Sequence, residues 1–364
     1  MIKVLHVVES FSGGIIHSIA NICRALDGQV AFHILHGRRP ETPGELEGLY
    51  PATVGFTLWP SAGRSIHPGR DLRALAEVRA AVETVQPDVI HAHSSKAGAL
   101  VRLAYPCGRV PVVYSPRGYA FLQRDKGRVG RGAFWLIERL LGCLPHITVG
   151  CGLGEYTLAQ RVSGRAVLIP NMVDLAQFAV AAGVARDAKG PLRVAMAGGI
   201  RPQKNFPLFC QVAAAFEGRD VRFLWIGDGT LPTGVWVPSN VEITGWLGRD
   251  AVLRAMATCH VYMQTSLWEG LPIALLEGMA LGLAVLACPA VGNTELVLEG
   301  GNGHLCADAE SFIGQLRALD RDRARLAAMG AASRRLVEQQ HALERIAPRW
   351  LSLYSHYRRY RRYG

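Results

Sequence analysis

The chain has no apolar run near the roughly 20 residues that a bilayer-crossing helix requires. Its opening, MIKVLHVVES, reads as a β-strand and not as a secretion signal. Among its eight cysteines there is no CxxC pair and no His/Cys cluster at zinc-ligand spacing. Several of them lie in apolar runs and read as small core hydrophobes. These absences lead to the expectation of a cytoplasmic protein in a reducing compartment. Charge is also lopsided: 29 Asp and Glu stand against 40 Lys and Arg, a net charge of +11. Such a balance fits an anionic partner, whether nucleotide, nucleic acid or membrane surface; a merely basic soluble surface is the plainer alternative. Hydrophobic residues make up 49% of the chain, so it is well able to fold. At 364 residues it exceeds one ordinary core, and two α/β domains are expected.

Short apolar runs alternate with helical periodicity throughout. KVLHVVE, VAFHILH, PDVIHAH, VPVVYS, HITVG and AVLIP read as buried strands, with ANICRALD, DLRALAEVRAAVETVQ, GALVRLAY, AFWLIERLLG and GEYTLAQRV as helices between them. The pattern pauses at 174–192, rich in small residues and aperiodic, and restarts with LRVAMAGG, VRFLWIG, NVEITGW, HVYMQTS and AVLACPA. This is the signature of doubly wound parallel sheets. The expected division is an acceptor-side domain over 1–172, a linker over 173–190, a nucleotide-sugar-binding domain over 191–342, and a helix with a basic tail over 343–364. Two Rossmann-like domains facing across a cleft would suit an elongated ligand.

Candidate anion sites follow the strands. Gly13 and Gly14 sit between the first strand and a helix, where a backbone can approach phosphate and a helix N-terminus favours it. Turn chemistry alone also explains them, and they do not spell GxGxxG. In AGGIRPQKNFPLF, Gly199 ends a strand, and Arg201 and Lys204 precede a helix. Two cations there suit a diphosphate, or are solvated surface charge. The segment does not spell GxxxxGK[ST], which disfavours a P-loop ATPase. Gly227 lies in a strand-end GDG, and Gly245 with Trp246 ends another strand, where backbone groups could meet a base.

The stretch EGLPIALLE sets Glu269 and Glu277 eight apart among apolar residues. Carboxylates are rarely buried without a partner. On a helix, eight residues rise about 12 Å, so the pair would reach toward one ligand at two depths. Each carboxylate accepts well from a vicinal diol. That spacing suits a nucleotide sugar, with hexose at Glu269, diphosphate at the helix start and ribose at Glu277. The plainer alternative is a capping Glu269 and an ion-paired Glu277.

With the GG pair, DVIHAH, Arg-x-x-Lys-Asn, GDG and the E-x7-E stretch in this order, the chain resembles the retaining glycosyltransferases of family 4, with the GT-B fold. HSSKAGALVRLA and YSPRGYAFL further resemble members that build bacterial surface polysaccharides, lipopolysaccharide among them. The resemblance implies that Arg201 and Lys204 hold the donor diphosphate and that Glu277 binds ribose. It implies that Glu269, helped by the amides of Gly270 and Leu271, binds the donor sugar, and that Gly13 and Gly14 approach the phosphate. It implies no metal and no cofactor beyond the donor. Many members carry a histidine in the central loop of the first domain; SPRGY has Arg117 there. Arg117 would then meet the diphosphate or an anionic acceptor, and His93 could take the sugar contact.

Two basic segments remain. From Arg102 to Arg139 there are eight Lys and Arg, Arg109 among them, and the chain ends in YRRYRRYG. Tyrosine interleaved with arginine suits an anionic membrane interface. A solvated helix is the alternative, and no nucleic-acid motif accompanies it. The leading expectation is therefore a hexosyltransferase moving a sugar from a nucleotide diphosphate to a saccharide or lipid-linked saccharide at the inner membrane face. A nucleotide-sugar epimerase, a dehydrogenase and a non-catalytic membrane module are the competing classes.

Overall fold

The structure is a computed structural model. It describes residues 1–39, 42, 44, 47–107, 110–187 and 189–363, without the side chains of Glu47 and 359–363. Arg109 and most of the RRYRRY side chains, both named above, lie outside the described residues. The chain divides into two compact units, Met1–Asn171 with Leu343–Gly364, and Met172–Ala342.

In the first unit the order is β1 (Ile2–Val8), α1 (Gly14–Ala25), β2 (Val30–His36), β3 (Gly55–Leu58), α2 (Pro68–Val85), β4 (Val89–His93), α3 (Ser95–Ala104), β5 (Val112–Ser115), α4 (Gly127–Leu141), β6 (Ile147–Gly150), α5 (Leu153–Val162) and β7 (Ala166–Leu168). Its seven strands run parallel in the order β3-β2-β1-β4-β5-β6-β7. Parallel strands need crossovers, so helices cover both faces and the central strands are buried except at Lys3 of β1. Leu5, Val7, Ile90, Val112 and Tyr114 form part of its core.

The second unit holds β8 (Leu192–Ala197), α6 (Phe206–Ala214), β9 (Val221–Ile226), β10 (Val241–Ile243), α7 (Arg249–Ala257), β11 (Val261–Gln264), α8 (Ile273–Ala280), β12 (Ala284–Ala287), α9 (Asn293–Leu296), β13 (Gly303–Leu305), α10 (Ala309–Arg321) and α11 (Arg323–Gln340). Its sheet is also parallel, in the order β10-β9-β8-β11-β12-β13. Phe206 and Phe209 meet Trp225 edge-on, with ring centroids 4.8 and 5.1 Å apart. Truncating that fully buried indole to alanine costs about 3–5 kcal/mol. The stretch read as a linker contains a 3-10 turn, Leu175–Ala181, capped by Asp174, whose side chain accepts from the Ala176 amide at 3.1 Å. It clusters with the second unit.

The last helix, α12 (Leu343–Tyr363), returns to the first unit. Trp350 and Tyr354 are buried there, and the Tyr354 hydroxyl is 2.8 Å from His91 Nδ1. The Asp-Arg-Asp string at 320–322 serves helix ends: Asp322 accepts from the Arg325 amide, and Asp320 pairs with Arg323.

Candidate functional site

Strand ends build the site in the second unit. In an open parallel sheet, ligands bind beyond the carboxyl ends of the strands. Gly199, Arg201 and Lys204 follow β8, Gly227 follows β9, Gly245 and Trp246 follow β10, and Glu269 to Leu271 follow β11. These strands are neighbours in the sheet, so residues far apart in sequence share one edge. The loops are pressed together. The Gly198 amide donates to Ile226 O at 2.9 Å and the Ile200 amide to Asp228 O at 2.7 Å. Gly227 has φ +145°, and a Cβ there would fall 2.4 Å from Gly198 O. Glycine is therefore required by close backbone approach, and the loops after β8 and β9 lie in contact.

Glu269 is tied to the loop after β8. Lys204 Nζ lies 2.7 Å from its Oε1, which also accepts from Gln264 Nε2 at 3.1 Å. Gln203 Nε2 reaches the other oxygen at 3.4 Å and Trp268 O at 2.8 Å. The backbone reinforces this, with the Leu267 amide donating to Gln203 O at 2.8 Å. Gly292, at φ +80°, closes the far side: a Cβ there would sit 1.9 Å from Gly270 O. Gly270 and Leu271 are thus held from behind.

Glu277 is the fifth residue of α8, which begins only at Ile273. The helical ruler therefore does not extend back to Glu269, because Gly270 and Pro272 hold the intervening turn open. Glu277 is buried, and Arg249 Nη1 at the start of α7 is 2.5 Å from its Oε1. Burial pushes its carboxyl pKa up, and Arg249 opposes the shift. The Arg249 guanidinium also reaches Gln177 at 3.4 Å. Arg249, Gln203 and Gln264 carry no sequence signal; only their contacts single them out. Trp246 is exposed, with a free indole face at the β10 end.

The first-unit candidates are placed separately. Gly13 caps α1 at φ +58°, with no side-chain cap on the helix. Arg117 has φ +57°, unusual for a residue with a Cβ. One guanidinium nitrogen donates to Asn171 Oδ1, while Nε and Nη2 are buried without a partner. Glu155, not singled out from the sequence, fixes this loop by accepting from the Gly118 amide at 2.6 Å and the Cys151 amide at 2.9 Å.

His93 is fully buried and presents no surface to solvent. It belongs to a cluster with His6 and His91, the one grouping among the described residues whose side chains could hold a metal ion. His6 Nδ1 and His93 Nε2 are 2.8 Å apart, a hydrogen-bond spacing, and His91 engages Ser115 at 2.9 Å and Tyr354. A metal would have to displace these bonds. Burial lowers all three histidine pKa values, that of His6 to about 3, and the Arg117 charge adds to the effect.

Residues 12–177 match the family described as Glycosyltransferase Family 4, and residues 191–322 match Glycosyl transferases group 1. The chain is 30% identical over 309 residues to the UDP-Gal:alpha-D-GlcNAc-diphosphoundecaprenol alpha-1,3-galactosyltransferase of Escherichia coli, covering 75% of this chain and 76% of that protein. The chain belongs to glycosyltransferase family 4. It is an enzyme of sugar transfer, of the kind that builds bacterial polysaccharides. The putative glycosyltransferase EpsF of Bacillus subtilis is 26% identical, with 79% of each chain covered. The GT-B fold is shared with the sucrose-phosphate synthase of Thermosynechococcus elongatus, at TM-score 0.81 and 15% identity over 98% of this chain and 99% of that one. It is shared also with HepE of Anabaena in complex with UDP-glucose, at TM-score 0.78 and 18% identity over 98% and 100%. The expectations of fold, family and sugar transfer are met. The dehydrogenase alternative falls with them.

Proposed function

We propose that this glycosyltransferase moves a hexosyl group, with retention, from a nucleotide diphosphate sugar to a saccharide or lipid-linked saccharide acceptor, at an anionic membrane surface and without a metal. The observation that carries the reading is the meeting of the loops after β8 and β11, where Lys204, three residues after Arg201, pairs with Glu269, with Glu277 buried on the helix that follows. Arg201 and Lys204 neutralise the departing diphosphate, where charge grows in the transition state. Glu269, oriented by Lys204 and Gln264, accepts from the sugar hydroxyls, and Glu277 accepts from the ribose. Gly270 and Leu271, held by Gly292, shape the sugar end, and Gly245 with Trp246 the base end. Gly13, Gly14 and Arg117 offer the first unit's amides and charge to an anionic group.

In the step itself, the bond from the anomeric carbon to the diphosphate oxygen breaks and a bond to the acceptor oxygen forms on the same face. The acceptor's proton passes to the leaving diphosphate oxygen. UDP-hexoses are the first donors to test, since the name of the E. coli relative carries UDP-Gal and HepE holds UDP-glucose. A lipid-linked acceptor fits the same relative's name. No described helix is long and apolar enough to cross a membrane, so the membrane contact proposed here is peripheral.

The test is a product screen with UDP-, GDP- and dTDP-sugars and a lipid-pyrophosphate saccharide, in chelator, with the anomeric configuration read by NMR. The reading expects a new α-linkage from an α-donor. Interconversion of the nucleotide sugar without acceptor would instead mark an epimerase, and no turnover at all a binding module.

A further inference from the structure

Helix α4 (Gly127–Leu141) has three faces. Phe134, Glu138 and Leu141 turn inward. On the outer side Val129, Ala133, Leu136 and Leu140 recur at i, i+4, i+7 and i+11, within about 60° of arc at 100° per residue, with Ile137 at their margin. All five are exposed, Val129 at 89% and Leu140 at 63%. Trp135, with Arg128 and Arg139, lies along one flank of this stripe. A row of large apolar side chains in solvent is costly unless something covers it.

Charge says what covers it. Arg124, Lys126, Arg128, Arg131 and Arg139 are all exposed, against one exposed carboxylate, Asp125. The other acidic residue, Glu138, is turned into the core, where it meets Arg102 at 2.8 Å and Tyr114 at 2.8 Å. The outer face of α4 is therefore apolar along its centre, cationic beside it and free of carboxylates. Trp135 stands among the cations of that flank, and interfacial indoles favour the headgroup layer. A second copy of the chain seated on this face would bring like-charged flanks together, which opposes association.

We propose that α4 is the element that seats the protein on an anionic lipid surface, its stripe of Val129, Leu136 and Leu140 entering the headgroup–acyl boundary. This inference rests on the membrane reading above and narrows it to one helix. The C-terminal helix enters differently: Trp350 and Tyr354 are spent on packing within the first unit, and Arg358 lies 3.7 Å from Asp88. It follows that an acceptor anchored in the same surface is presented to the first unit, while a water-soluble acceptor gains nothing from α4.

The test is flotation of the full chain with phosphatidylglycerol-containing vesicles and with pure phosphatidylcholine vesicles. It compares wild type, Leu136→Asp/Leu140→Asp and Arg128→Glu/Arg139→Glu. Wild type is expected to float with the anionic vesicles only, and less at high salt. Each double variant should lose about tenfold or more in partitioning while keeping its melting temperature. Either variant suffices should the other fail to fold. Rates on a lipid-embedded acceptor should fall with it, and rates on a short-chain soluble acceptor should not. Variants that float as wild type does would overturn the assignment to α4 and leave the membrane reading standing elsewhere on the chain. Wild type that does not float with anionic vesicles would end both, without touching sugar transfer. A wild-type dimer that becomes monomeric in Leu136→Asp/Leu140→Asp would make the face a self-interface and overturn the proposal.

Discussion

Lys204 and Glu269, 65 residues apart in sequence, share an ion pair of 2.7 Å. The cation proposed for the diphosphate and the carboxylate proposed for the sugar are thus one unit. Each holds the other in place, so neither reorganises far when a donor arrives, which is the condition for electrostatic stabilisation of a leaving group. Glu269→Gln keeps the shape and drops the charge. It should lower kcat more than it raises KM, because the pair's order matters most as the anomeric bond breaks. A change confined to KM would reduce Glu269 to a ground-state contact.

Arg201→Ala and Lys204→Ala should each lose turnover more than fold. The missing cation is needed most when the diphosphate departs, and a loss on the order of 100-fold in kcat is expected. Near-normal rates in both variants would remove the clamp. Wild-type activity should persist in chelator; its loss there would require a metal in the reaction.

Arg249 is a positioning residue in this account. It touches Glu277 and opposes the rise that burial imposes on that carboxyl's pKa. Arg249→Met should leave that carboxylate without its ion pair and raise its pKa further, since burial already pushes it up. Nucleotide affinity should then acquire a pH dependence, weakening as pH falls through the raised value and recovering above it. Affinity that is low at every pH would indicate a purely structural role. Arg249→Lys should restore part of the wild-type profile.

The histidine cluster sets an acid limit on the first unit. His6, at about 3, and the lowered His91 and His93 are neutral when folded, whereas the unfolded chain protonates them near 6.5. A depressed histidine pKa contributes stability that is complete above about 6.5 and is lost as pH falls toward 3. Each such group can cost up to about 1.4 kcal/mol per pH unit in that window. Glu277 has the opposite sign, its raised pKa favouring the folded second unit at low pH. The urea midpoint of the transition that exposes Trp350 should therefore be lower at pH 5.5 than at pH 7.5. An unchanged or rising midpoint would contradict neutral burial of the cluster.

Much of the architecture was legible in the sequence. β2 occupies VAFHILH, and the parallel order follows from apolar runs separated by helices. What escaped had physical reasons. β3 and β13 are short strands at the sheet edges, with too few apolar residues to mark them. The first turns of α4 are hidden by Gly127, Gly130 and Gly132, poor helix formers that the packing overrides. α11 reads as charged and alanine-rich, without the strong stripe of α10. At the candidate site, the glutamates and cations were visible as motifs. Their partners Gln203, Gln264 and Arg249 were not, because only the fold brings these contacts together. The run PDVIHAH already read as a buried strand, but the histidine cluster was hidden: His6 and His91 become neighbours only through the parallel register of β1 and β4.

The central claim is that Glu277 holds the nucleotide's ribose. It is tested most directly by calorimetric titration of UDP and of a UDP-hexose into wild type and Glu277→Ala. The loss of a charge-assisted acceptor, about 1.5–3 kcal/mol, predicts roughly 10- to 150-fold weaker binding for both ligands alike. An unchanged dissociation constant for UDP in a folded Glu277→Ala protein would contradict the account.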